Sequence, residues 1–148
     1  MPEHVLIAHI AVMVAPVAAV LAVLYAVAPS TRRTLRWPLV VTCVLAAILV
    51  IVAGTAGHAL LEELKATASP AYEAAYRHAK NSDALTTVAV LAAVVAPLAG
   101  WGFLKPGAPR SRLGVASAVV LILLGVALAV TTASTVVDAL QAVWGGTR

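Results

Sequence analysis

The chain has 148 residues, of which 62% are hydrophobic and 11% are charged, and it carries a formal net charge of +4. Soluble domains are about half apolar and about a quarter charged, so this composition excludes an ordinary soluble protein. Its long runs of Ala, Leu and Val also exclude the short alternating strands of an outer-membrane barrel. We therefore expect an integral membrane protein built from helices.

Four stretches are long enough to cross a bilayer, because each has about twenty apolar residues without a charged side chain. They predict transmembrane helices over residues 5–28, 38–61, 84–104 and 113–137. A chain that crosses the membrane four times reverses direction at each crossing. The expected fold class is all-α: one domain over residues 1–148, in which the four helices form an up-down-up-down bundle.

The positive charges predict the orientation of this bundle. Residues 29–37 and 105–112 contain six of the ten Lys and Arg residues and no Asp or Glu. Because Lys and Arg near the ends of membrane spans stay in the cytoplasm, we expect both termini on the outer side of a bacterial cytoplasmic membrane. The positive net charge then reflects topology and contact with anionic lipid, and not nucleic-acid binding.

The connection between the second and third spans, EELKATASPAYEAAYRHAKNSD, is the one long polar segment of the sequence. Ser69 followed by Pro70 is typical of a helix start. We expect a helix from near Pro70 that either continues into the third span or breaks near residues 81–82. Within the second span, Gly54 and Gly57 favour close helix contact, which also makes room for a flat ligand.

The candidate ligands for a cofactor or a metal are four histidines, and the predicted topology puts all four on the outer side. His4 and His9 begin the first helix, His58 ends the second, and His78 precedes the third. Since a helix rises 1.5 Å per residue, His9 and His58 lie at a similar depth, roughly 5–6 Å inside their spans. Imidazoles on facing helices of an apolar bundle are typical ligands of haem or of a transition metal.

The first hypothesis is a b-type haem that serves electron transfer with a redox partner protein or a quinol. His9 with His58 or His78 would be the axial ligands, and His4 is a further candidate. Charged side chains on the same side supply the surrounding contacts: Asp138, Glu62 and Glu3 to accept a ring N–H, and Arg77, Lys80 and Lys65 to bind the propionates.

Two alternatives stay open beside haem. A bare transition metal would be bound by His58 and Glu62, four residues apart on one helix face, with His78, His4 or His9 completing the shell. In the other alternative the chain binds no cofactor and is an accessory or structural subunit of a larger membrane complex. No phosphate loop, nucleophile elbow or zinc-protease motif indicates an enzyme, and homo-oligomer formation is left open.

The segment EHVLIAHIAVMVAPVAAVLAVLYAV resembles the opening helix of a bacterial four-helix membrane family, domain-of-unknown-function family 2231. The family pattern maps onto His4, His9, Gly57 and His78, although the residues after the first two histidines differ from the family's prolines. The resemblance implies redox work in the membrane, because related domains are fused to Rieske-type iron–sulfur or cytochrome modules. With one cysteine and no CxxCH motif, a noncovalent haem or a partner protein would have to supply the redox centre.

Overall fold

The computed structural model describes the backbone of residues 3–144 and the side chains of residues 6–141. Helices dominate the described part of the chain, and no strand occurs in it. The elements are α1 (Glu3–Val27), a 3₁₀ turn (Pro29–Thr31), α2 (Arg32–Ala66), α3 (Tyr72–Leu98), a π-helical segment (Ala99–Phe103) and α4 (Arg112–Trp144). The predicted all-α fold is confirmed.

The four helices form a closed ring in which α1 packs against α2 and α4, and α3 packs against the same two helices. We call the end with residues 67–71 the histidine end, and the end with residues 28–31 and 104–111 the arginine end. All four helices are long and apolar enough to cross a membrane, which confirms the predicted four-helix transmembrane bundle. The location of both termini on the outer side of a bacterial cytoplasmic membrane stays a prediction.

Helix α3 is longer than the third predicted span, because it begins in the polar connection. It starts at Tyr72 and runs without a break through residues 81–82, so the continuous alternative is the one observed. Ser69 prepares this start: its hydroxyl oxygen accepts the Ala71 N–H at 3.3 Å, and its carbonyl accepts the Tyr72 N–H at 3.0 Å. The polar residues before the third span therefore extend the bundle as a rigid helix.

Helix α2 ends in a Schellman motif. The Ser69 N–H donates to the Leu64 carbonyl at 3.0 Å, and the Ala68 N–H donates to the Lys65 carbonyl at 3.2 Å. This geometry requires a left-handed residue, which is Ala68 with a φ of 48°. Glycine usually fills that position because it has no Cβ to clash, so the alanine leaves local backbone strain in the connection.

Small residues fill the interior of the bundle and large apolar ones cover its outside. Met13 is 74% exposed and Leu123 is 63% exposed, as expected for side chains that face lipid tails. Membrane helices associate through small residues that allow backbones to approach closely. The buried alanines are Ala11, Ala15, Ala18, Ala19, Ala22, Ala26, Ala46, Ala47, Ala53, Ala89, Ala92, Ala96 and Ala99.

Among the glycines for which the structure describes the surroundings, Gly125, where α1 meets α4, has the nearest neighbours. A Cβ added there would lie 2.9 Å from the Ala19 carbonyl oxygen and 3.0 Å from a Val23 methyl group. At Gly54 an added Cβ would meet only the Thr86 hydroxyl, at 3.9 Å. An added Cβ therefore meets closer neighbours at Gly125 than at Gly54, where the contact would be an ordinary van der Waals contact.

A buried tyrosine organises the arginine end. The Tyr25 hydroxyl is fully buried and donates to the Leu104 carbonyl at 3.1 Å, where the π-helical segment ends. That segment follows Pro97, which lacks an N–H and so interrupts the hydrogen-bond ladder of α3. Arg32 completes the arrangement by donating to the Tyr25 and Ala26 carbonyls at 3.1 and 3.2 Å, which satisfies the last carbonyls of α1.

Candidate functional site

A small cavity lies between α2 and α3 at the histidine end. Its volume is about 60 Å³, and two histidines, His58 and His78, are among its lining residues. The cavity exists because the facing side chains are small, so that neither helix fills the space between them. The small lining residues are Gly54, Gly57, Ala75, Ala79 and Ser82.

The His58 ring is oriented by its own helix. Its Nδ1 lies 2.9 Å from the Gly54 carbonyl oxygen, one turn earlier. A carbonyl oxygen can only accept, so Nδ1 carries the hydrogen, and Nε2 of the neutral ring carries a lone pair. The ring folds back in this way because helical side chains tilt toward the helix amino terminus.

Asp83 on α3 faces this lone pair. Its Oδ1 lies 3.7 Å from the Nε2 of His58, and the two side chains are 62% and 55% exposed. The separation is too long for a hydrogen bond. With a neutral ring, two electron-rich atoms face each other across this gap, and the arrangement becomes favourable when a proton or a metal cation lies between them.

His78 approaches the same cavity from α3. The residue is half-buried, and its Nδ1 is shielded from solvent. Asp83, which stands five residues further along α3, is not among the residues that line the cavity. The structure therefore brings together two of the four predicted histidines, His58 and His78, in one cavity.

The other predicted ligands lie elsewhere. His9 is exposed on α1 and does not line the cavity, and Glu62 is exposed one turn beyond His58. The imidazole of His4 lies outside the described side chains. Arg77 is exposed on α3, beside His78 in sequence.

Asp138 ties α4 to α3. Its carboxylate accepts a hydrogen bond from the Asn81 side-chain amide. The prediction gave Asp138 an imidazole N–H to accept, and the hydrogen bond that the described side chains show comes from the Asn81 amide. This contact fixes the amino-terminal part of α3, on which His78 and Asp83 stand, against the last turns of α4.

Sequence reasoning missed Asp83 as a partner of His58. The signal that would have found it is depth. His58 lies three residues before the end of the uncharged stretch 37–61, and Asp83 lies directly before the stretch 84–104. Two residues that border neighbouring antiparallel spans stand at the same level of the bundle, whereas Glu62 lies on the far side of His58 from the reach of its ring.

The donor set and the available space limit what this site can hold. Among the described side chains, no three His, Cys, Asp or Glu groups stand close enough together to form a complete metal shell. Two donors, from His58 and Asp83, face each other. The cavity, at about 60 Å³, is also far smaller than the roughly 300–1,000 Å³ of pockets that enclose organic ligands.

Searches against models of protein families, curated proteins and solved structures find no match for the chain. The resemblance to domain-of-unknown-function family 2231 therefore stays a prediction, and the site has to be interpreted from its own geometry.

Proposed function

We propose that this integral membrane protein binds one divalent transition-metal ion at the histidine end. The Nε2 of His58 and the carboxylate of Asp83 are the two protein ligands, and water fills the remaining positions. The supporting observation is that the Nε2 of His58, whose Nδ1 is bonded to the Gly54 carbonyl, lies 3.7 Å from the Asp83 carboxylate.

The separation of the two donors suits a metal ion. Imidazole and carboxylate ligands lie about 2.0–2.2 Å from zinc, so two of them in a tetrahedral site are about 3.4 Å apart. The observed 3.7 Å requires a shift of a few tenths of an ångström, which is small for exposed side chains. Because no complete protein shell is assembled among the described side chains, water takes the remaining positions.

The donor types define the class of ion. Imidazole nitrogen with carboxylate oxygen suits Zn²⁺, Cu²⁺, Ni²⁺ or Fe²⁺, whereas Mg²⁺ and Ca²⁺ prefer oxygen ligands alone. The Gly54 carbonyl, which accepts the Nδ1 hydrogen of His58, acts as the outer partner that metal-binding histidines usually have. It fixes the tautomer that leaves Nε2 available.

Haem b, with its role in electron transfer, stays a prediction for which the cavity gives less support. Two histidines on facing helices suit haem as axial ligands. However, a cavity of about 60 Å³ does not fit the macrocycle, so haem binding would require α2 and α3 to separate at the histidine end. The predicted redox partner or quinol depends on that haem.

A metal titration of the full-length protein in detergent tests the proposal. The protein is stripped with a chelator and titrated with Zn²⁺ against a chromophoric competitor, and we expect one Zn²⁺ per chain. His58→Ala and Asp83→Asn should each lower the affinity more than about a hundredfold, beyond the 10–100-fold effect typical of residues outside the ligand set.

Glu62→Gln is the matched control, since it removes the same charge as Asp83→Asn one turn beyond His58. Its Zn²⁺ affinity should equal that of the unaltered protein. Unchanged binding in His58→Ala, or an equal loss in Glu62→Gln, would contradict the proposed ligand set. A visible absorption spectrum separates the two cofactors: a Soret band that shifts on reduction with dithionite and disappears in His9→Ala would establish haem instead.

A further inference from the structure

Arg36, at the arginine end, differs from the other cations of that end in its surroundings. Its guanidinium lies over the Trp101 ring, 5.0 Å from the ring centroid. Within the described residues, its Nε is buried and has no hydrogen-bond partner. By contrast, Arg32, one turn earlier, donates hydrogen bonds from its Nε and from one terminal nitrogen to carbonyls at the end of α1.

The side chain of Arg36 packs closely against the π-helical segment, at a glycine. Gly100 lies in the π-helical segment, and a Cβ added there would stand 3.2 Å from the Cγ of Arg36. Trp37 packs edge-on against Trp101, with the ring centroids 5.0 Å apart. Arg36 thus passes close to Gly100 with its stem and lies over the ring of Trp101 with its guanidinium, while Trp37 packs against that ring from the side.

This cation has no anion near it in sequence. A half-buried charge is costly unless it is paired, and the connections at the arginine end contain no Asp or Glu. With Nε buried, the donors that remain for an outside anion are the two terminal nitrogens. Their fork geometry matches phosphate.

We propose that Arg36, Trp37 and Trp101 form a binding site for the phosphate of an anionic phospholipid headgroup. The position fits a lipid, because tryptophans concentrate at the headgroup level of membranes, and Trp37 and Trp101 are 60% and 43% exposed. Exposed Lys and Arg residues of both connections add attraction for an anionic surface. The site is independent of the metal proposed at the histidine end.

Lipid binding to the full-length protein tests the site. The protein is transferred to nanodiscs of phosphatidylcholine, and the affinity for added phosphatidylglycerol is measured by native mass spectrometry. Arg36→Gln should weaken phosphatidylglycerol binding about thirtyfold, the loss of one charge-assisted hydrogen-bonded contact. Arg33→Gln, an exposed neighbour on the same turn, should weaken it about fivefold or less, because it removes a surface charge alone.

Arg36→Lys keeps the positive charge and removes the fork of two nitrogens. The thermal unfolding midpoint of each variant shows whether it is folded. We expect the affinity of Arg36→Lys to lie between those of Arg36→Gln and the unaltered protein. Equal losses in the Arg36→Gln and Arg33→Gln variants would overturn the site, as would unchanged affinity in Arg36→Lys, since net charge would then explain the binding. Competition by inorganic phosphate as effective as that by the lipid would also overturn it, because the ligand would be the free ion.

Discussion

Two helix interfaces of this bundle each contain a glycine, and the two glycines differ in the space beside them. Between α1 and α4, Gly125 lets the backbones touch, with no room for even a methyl group beside Ala19. Between α2 and α3, Gly54 borders a cavity, and a methyl group would meet only ordinary contact with Thr86. Small residues therefore mark close packing in one interface and an empty space beside two histidines in the other.

This difference in packing accounts for the position of the cavity with His58 and His78 between α2 and α3. A packed core behaves like a crystal and loses stability when its volume changes, so the α1–α4 contact around Gly125 has no space for an added group. The α2–α3 interface at the histidine end gives up some packing, and this creates the space in which an ion can be bound. The price in dispersion energy is small because the cavity is small.

Gly125→Ala should show the largest effect on stability. The added Cβ would stand 2.9 Å from the Ala19 carbonyl oxygen, so α1 and α4 must move apart. We expect the free energy of unfolding to fall by about 2 kcal/mol, in spite of the better helix propensity of alanine. Unfolding in mixed micelles with increasing SDS, followed by circular dichroism, measures it. An unchanged midpoint would contradict this prediction, because α1 and α4 could then move apart without a loss of stability.

Ala68→Gly should raise stability at the connection that leads from the α2–α3 interface. Ala68 has a φ of 48°, which costs an L-residue roughly 1–2 kcal/mol and costs glycine little. We expect the free energy of unfolding to rise by about 1 kcal/mol, measured in the same way. Ala66→Gly, the same change at the last residue of α2, should instead destabilise; two changes of the same sign would contradict the backbone argument.

Gly54→Ala should have the smallest effect, and its sign should be opposite to that of Gly125→Ala. The new methyl group would meet only the Thr86 hydroxyl, at 3.9 Å, while the helix gains an alanine. We expect stabilisation by about 0.5 kcal/mol, seen as a slightly higher SDS midpoint. A loss comparable to that of Gly125→Ala would mean that the two interfaces are equally tight and would remove the basis of the comparison.

The architecture was predictable because membrane spans follow from composition alone. The predicted spans agree with the observed helices, and two of them extend one residue too far, at residues 28 and 104. Topology placed His58 and His78 at the same end of the bundle, whereas the depth argument paired His58 with His9, which does not line the cavity. The α3 start was predictable to within two residues, because Ser69 and Pro70 have distinct roles at helix ends. These predictions use properties that single residues carry regardless of their neighbours.

The details of the site were not predictable, because they depend on which residues meet. Glu62 and Asp83 are equally good carboxylates in the sequence, and the choice between them follows from the backward tilt of the His58 ring. Gly54 and Gly125 are both helix glycines, and their opposite surroundings follow from rotation of each helix about its axis. The π-helical segment has no signal beyond Pro97 and two glycines, which also occur in ordinary helices.

The uninterrupted course of α3 has a consequence for access to the site. Twelve polar-rich residues, 72–83, precede its uncharged stretch, and at 1.5 Å per residue they raise the start of the helix roughly 18 Å above it. His78 and Asp83 stand on this raised portion, at the boundary where lipid gives way to solution. If the proposed metal is bound, a hydrophilic carrier or a chelator would reach it from the aqueous phase, without any passage through the hydrocarbon layer.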